Sequence, residues 1–112
     1  MSMDIREERR EAIFIVAPKG RVDSNTSSAL ETSVLGHARE ARLLVDLSGV
    51  EYISSAGLRV FLMLARKVKE AGGRLVLCSM GASVRQVFDL AGFTALFAVE
   101  ASVEQGLSRL SL

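Results

Sequence analysis

"LLVDLSGVEYISSAGLRVFL", residues 43–62, changes its hydrophobic rhythm halfway along. Leu43 to Leu47 form a short, nearly unbroken apolar run, the pattern of a strand covered on both faces. Ser48-Gly49 signals a turn, and Val50 to Ile53 then read as a short apolar anchor. From Ser55 onward the period lengthens. Leu58, Phe61, Leu62, Ala65 and Val68 recur at intervals of three and four, the stripe of an amphipathic helix. Lys67 and Lys69 sit where a helix C-terminus favours positive charge, and Gly72-Gly73 is a stop signal. Between the two rhythms stand Ser54 and Ser55. One hydroxyl is enough to cap a helix, so the second is surplus to local structure.

The same alternation continues outward. "DIREER" (4–9) is a charged edge strand. A short connection through Arg9 to Glu11 makes a hairpin with "AIFIVAPKG" (12–20), a β-rich run expected to stop at Pro18 and Gly20. In "VDSNTSSALETSVLGHARE" (22–40), Asp23, Ser24 and Asn25 are N-cap types. Ser28 with Glu31 offers an alternative capping box one turn later. Leu30, Val34 and Ala38 share a helical face. "RLVLCS" (74–79) is a second buried strand. Ser83 is expected to cap the helix of "SVRQVFDLAG" (83–92), with Val84, Val87, Phe88 and Ala91 inward. "ALFAV" (95–99) reads as a last short strand, and "SVEQGLSRL" (102–110) as a closing amphipathic helix. Two strands followed by alternating helix and strand predict an α/β domain, with helices packed on a mixed, mostly parallel sheet of four to five strands.

Composition narrows the function. The chain of 112 residues suits one domain spanning 1–112, long enough for a core without staples. A net charge of +1 gives no broad basic field for direct nucleic-acid binding. The single cysteine, Cys78, fits a reducing, cytoplasmic compartment. The first residues are too charged for a secretory leader, and no apolar run is long enough for membrane insertion.

In open α/β sheets, ligands and partners meet the loops beyond the carboxyl ends of the parallel strands. Here those loops carry Asp23, Ser24 and Asn25, then Ser54, Ser55 and Gly57, then Ser79, Met80, Gly81 and Ser83. This edge is small and polar, with no histidine and no paired carboxylates, so it predicts binding rather than catalysis. His37, the only histidine, lies late in the first helix, away from this edge. No His/Cys cluster offers a metal site, neither serine has an evident activating base, and Cys78 reads as a core residue. "SSAG" is no phosphate-binding Walker loop, and nothing in the chain calls for a cofactor. Gly57 has two readings, close backbone approach or room left for a partner. Val60, Met63 and Leu64 extend the helix's apolar surface beyond one stripe, either under a neighbouring helix or toward a partner. Arg59 and Arg66 flank that surface.

The segment 43–62 closely resembles the central segment of STAS domains, specifically bacterial anti-sigma factor antagonists. "GRVD" (20–23) and "SVRQVFDLAGFTALFAV" (83–99) support the likeness, which covers roughly residues 4 to 108. The resemblance implies a small α/β domain that works by partner switching. Unmodified, such a protein binds an anti-sigma factor, usually a serine kinase of the histidine-kinase-like ATPase fold, and thereby frees a sigma factor. Phosphorylation of one residue at the start of the second helix ends the binding, and a serine phosphatase restores it. The family's motif there is commonly Asp-Ser-Ser/Ala-Gly-Leu. Its match is Ser54, Ser55, Ala56, Gly57 and Leu58, so Ser55 corresponds to the acceptor and Ser54 replaces the frequent aspartate. Asp23 and Asp46 match recurrent aspartates. The partner-contact set expected around Ser55 is Asp23, Ser24, Asn25, Ser54, Gly57, Leu58 and Arg59. Two other readings share the fold: an accessory STAS subunit contacting the ATPase subunit of a membrane transporter, and a small-ligand sensor.

Overall fold

The structure, a computed structural model, describes residues 3–111. The hairpin opens the fold: β1 (Asp4–Arg10) runs antiparallel to β2 (Ile13–Val22). Glu11 turns the corner with a left-handed φ of 56°. Then follow α1 (Ser27–Gly36), β3 (Arg42–Asp46), β4 (Val50–Ile53), α2 (Ser55–Glu70), β5 (Arg74–Cys78), α3 (Ala82–Leu90), β6 (Ala98–Glu100) and α4 (Val103–Leu110). The sheet is mixed and mostly parallel, as expected, but has six strands in place of the expected four to five, because residues 50–53 pair as a strand of their own. Its main path is β1-β2-β3-β5-β6, with β4 paired to β2 off that path. Every pairing except β1 with β2 is parallel.

Strand β2 runs past Pro18 and Gly20, contrary to the sequence expectation. Its first half pairs with β3 through Phe14 to Val16, and its last three residues pair with β4. Pro18 falls between these two ladders, where its missing N–H breaks no parallel pair. Beyond it, the Gly20 N–H donates to the Gly49 carbonyl at 2.9 Å. The anchor at 50–53 is therefore a strand, formed because the end of β2 offers it a backbone partner.

The central strands are apolar on both sides because both sides are covered. Phe14, Val16, Leu43, Val45 and Leu77 face a layer made by α1, α2 and α3. Ile13, Ile15, Leu44, Val76 and Cys78 face α4 alone. In the larger core, Phe88 lies 5.9 Å from Phe61 and close to edge-on to Phe93 and Phe97, tying α3 to α2 and to the segment before β6. On the other face, Gly106 brings α4 down onto Leu44; a Cβ there would lie 2.6 Å from Leu44 Cδ1. The Arg74 guanidinium donates to the carbonyls of Arg109 and Leu110, and Arg109 pairs with Glu100 at 2.6 Å.

Three local expectations change. Ser83 does not cap α3: Gly81 holds the N-cap position and Ser83 sits inside the first turn. Ala91, expected to face inward, is exposed past the end of α3. The last strand spans 98–100 instead of 95–99.

Candidate functional site

Strand β4 delivers the chain to α2 through Ser54, whose extended backbone places it at the N-cap. Its hydroxyl accepts the Gly57 N–H at 3.4 Å, a long bond that still satisfies one of the free amides of the first turn. Ser55 is the first helical residue and is exposed. Among the described residues, its side chain has no hydrogen-bond partner. The two serines thus separate cleanly: one closes the helix, and the other points a free hydroxyl at solvent.

Gly57 resolves in favour of close packing. It is buried, and a Cβ on it would lie 2.5 Å from Val22 Cγ1 and 2.8 Å from Ile53 Cγ1. Leu58 also turns inward, at 8 % exposure. These two members of the expected contact set lie beneath the surface and hold α2 against β2 and β4. Val60 and Leu64 are buried as well, covered within the helix layer. Along one strip α2 leaves Ser55, Arg59 and Arg66 exposed, with Leu62 and Met63 half-buried between them; Lys67, Lys69 and Glu70 are exposed near its C-terminal end. Arg59 makes no ion pair or hydrogen bond through its side chain among the described residues.

The loop from β2 to α1 lies beside this helix mouth: the Ser54 N–H donates to the Val22 carbonyl at 2.8 Å. The helix α1 starts later than the cap residues at 23–25 suggest, and without a Ser28–Glu31 box. Asp23 instead folds the loop over itself. Its Oδ1 accepts the N–H groups of Asn25 at 2.9 Å and Thr26 at 3.3 Å. Thr26, buried, accepts the Asp23 N–H at 2.9 Å and donates to the Arg21 carbonyl at 2.7 Å. Ser24 and Asn25 are left exposed at the tip. Thr26 was missed from the sequence; the Asp-x-x-Thr spacing is the signal for such a side-chain-closed turn. On the opposite side of β2 and β4, the Arg21 guanidinium lies 4.3 Å from the ring centre of Tyr52, which is 40 % exposed.

The remaining loop joins from the other flank. The Ser83 hydroxyl donates weakly to the Glu51 carbonyl at 3.4 Å, so the start of α3 abuts β4. Asp46 stays at the end of β3, accepting the Ser48 N–H at 3.0 Å, and serves its own turn. His37 stacks on Phe14 at 4.0 Å beyond the end of α1, remote from Ser55. Cys78 is buried, and loss of water around it pushes its thiol up to about 11, which keeps it protonated and unreactive.

A mixed sheet of this kind, with its helices, is shared with known proteins. The STAS domain family matches residues 4–106, and the chain belongs to that family. BtrV of Bordetella bronchiseptica, named as a candidate anti-sigma factor antagonist, is 36 % identical over 104 residues, covering 91 % of this chain and 90 % of BtrV. The anti-sigma-B factor antagonist of Bacillus subtilis is 26 % identical over 96 % of this chain and 97 % of its own. Among solved structures, an anti-sigma factor antagonist of Thermotoga maritima, itself so named provisionally, superposes with a TM-score of 0.90 at 16 % identity, covering 96 % of this chain and 95 % of that one. The antagonist SpoIIAA superposes in its unphosphorylated form (TM-score 0.80, 16 % identity, 96 % of each chain). The phosphorylated form of SpoIIAA from Bacillus also superposes (TM-score 0.72, 15 % identity, 95 % of this chain and 98 % of that one).

Proposed function

We propose that the protein is an anti-sigma factor antagonist that works by partner switching. Unmodified, it binds a serine-kinase anti-sigma factor through the exposed strip of α2 and the neighbouring loop at 23–25. A phosphate on Ser55 ends that binding, and a serine phosphatase restores it. The names of its relatives support the class. The observation that carries the switch is the free, exposed hydroxyl of Ser55, one residue past the serine that already caps the helix.

The physics favours a switch at the interface, with the scaffold unchanged. A phosphate brings about −1.5 to −2 charges near neutral pH. At the first turn of a helix, negative charge is tolerated or favourable by ~0.3–1 kcal/mol. Pressed against a partner, the same phosphate loses water, and a dianion needs more than one cation to be neutralised. One uncompensated buried charge costs ~3–5 kcal/mol, or roughly a hundred- to several-thousand-fold in affinity. The contact strip itself holds Arg59 and Met63, types suited to desolvated and adaptable contact.

Incubation with the host's candidate serine kinases and ATP, followed by mass spectrometry, tests this directly. A single phosphate on Ser55, absent from Ser55→Ala, with loss of kinase binding, is the expected result. No modification by any of them, or modification only elsewhere, overturns it. An unmodified Ser55→Ala protein that binds a transporter ATPase subunit instead would move the assignment to the accessory-subunit reading.

A further inference from the structure

We infer that Arg59 is the intramolecular counter-ion of phosphorylated Ser55, so that modification also withdraws this arginine from the contact surface. The inference rests on the reading of Ser55 as a phosphate acceptor and specifies what happens next.

Residues four apart on a helix are neighbours, and an acidic group placed N-terminal to a basic one is the favourable orientation. Ser55 and Arg59 have this spacing on α2, and both are exposed. Helical side chains lean toward the N-terminus, so the Arg59 stem covers the turn that begins at Ser55. Its other neighbours at three and four positions are Ala56, Leu62 and Met63, none able to accept a hydrogen bond from a guanidinium strongly. Among the described residues, no carboxylate holds it. An arginine with no partner, one turn from an acceptor hydroxyl with no partner, is available to form a forked pair with phosphate oxygens, a geometry lysine does not reproduce. Arg66, the next exposed arginine on this strip, is two turns further along and out of reach.

In the unmodified protein the Arg59 guanidinium is free for an acidic group on the partner. In the modified protein it is held by the phosphate. The switch then removes a favourable contact at the same moment that it introduces an unfavourable charge.

The test does not depend on a kinase: phosphoserine is installed at position 55 of the full chain by genetic encoding or ligation. The phosphate is titrated by phosphorus NMR in the wild-type background, in Arg59→Gln, in Arg59→Lys and in Arg66→Gln. Pairing with a cation favours the dianion, so Arg59→Gln is expected to raise the titration midpoint by roughly half a pH unit. Arg59→Lys should restore part of the difference, and Arg66→Gln should leave it unchanged. A midpoint that does not move in Arg59→Gln, or one that moves equally in Arg66→Gln, overturns the proposal. Failure of every kinase to modify Ser55 would instead count against the acceptor reading, and the two results are scored separately.

Discussion

The Ser54 N–H and the Val22 carbonyl meet at 2.8 Å, joining the mouth of α2 to the last residue of β2. Val22 also packs beneath Gly57. The loop closed by Asp23 and the helix opened by Ser54 therefore move as one piece, and the exposed hydroxyl of Ser55 stands on a fixed platform.

Gly57→Ala is the sharpest structural test of that platform. The added methyl would meet Val22 and Ile53 at 2.5 and 2.8 Å, and both neighbours are buried. Overpacking of this kind costs about 1–3 kcal/mol, more than the better helix propensity of alanine returns. Urea unfolding should show a lower midpoint with an unchanged slope. A midpoint at or above the wild-type value would mean that the contact with Val22 is slack.

The two serines should separate in stability measurements. Ser54→Ala removes the cap on the Gly57 N–H and is expected to cost ~0.5–1 kcal/mol. Ser54→Asp, which puts a carboxylate at the N-cap, should be as stable as wild type or slightly more so. Ser55→Ala should stay within ~0.5 kcal/mol, since no contact is lost. Equal losses at both positions in thermal or urea unfolding would contradict the division of labour seen here.

Asp23→Ala takes away the acceptor of the Asn25 and Thr26 N–H groups. The expected cost is ~0.5–2 kcal/mol, as for a lost cap. Amide exchange should accelerate at residues 24–27 and at Ser54, which leans on the same corner. Acceleration spread evenly over the sheet would argue for a global effect in place of a loosened loop.

The thiol of Cys78 gives a pH signature. Desolvation raises it from an ordinary 9.0 to about 11 in the fold, so the folded state keeps its proton longer than the unfolded chain does. Its contribution is complete below about 9 and is lost as pH rises from 9 toward 11, because the unfolded state ionises first. Cys78→Ala lowers stability throughout by opening a small cavity, yet should flatten the decline in that window. In the native protein at mildly alkaline pH, the thiol should react with a maleimide far more slowly than in urea. Equal rates would show that Cys78 is not sealed.

Much of this was legible in the chain because the relevant signals are local. Leu43 to Leu47 and the stripe from Leu58 to Val68 carry their own periodicity, and β3 and α2 form there, although Leu62 and Ala65 of that stripe are only half-buried while Val60 and Leu64 are buried in their place. Strand β4 was not legible, since its four residues become a strand only against the end of β2, far away in sequence. Thr26 escaped notice for a different reason: its signal is local, but its hydroxyl closes the turn on the Arg21 carbonyl and leaves the helix start uncapped, so a search for helix caps passes over it. The inward turn of Val60 and Leu64 likewise depends on neighbouring helices covering a second side of α2, which periodicity within α2 does not reveal. Ser55 stood out because a helix needs one cap and the sequence supplies two hydroxyls.

Helices α1, α2 and α3 share one side of the sheet, while eight residues of α4 guard the other. Should those two turns peel away, Ile13, Ile15, Leu44, Val76 and Cys78 would form a bare greasy strip on an otherwise intact domain. The apolar face that must stay covered is thus on the other side of the sheet from the helix that carries Ser55, and damage to α4 would bring precipitation before it disturbed that helix.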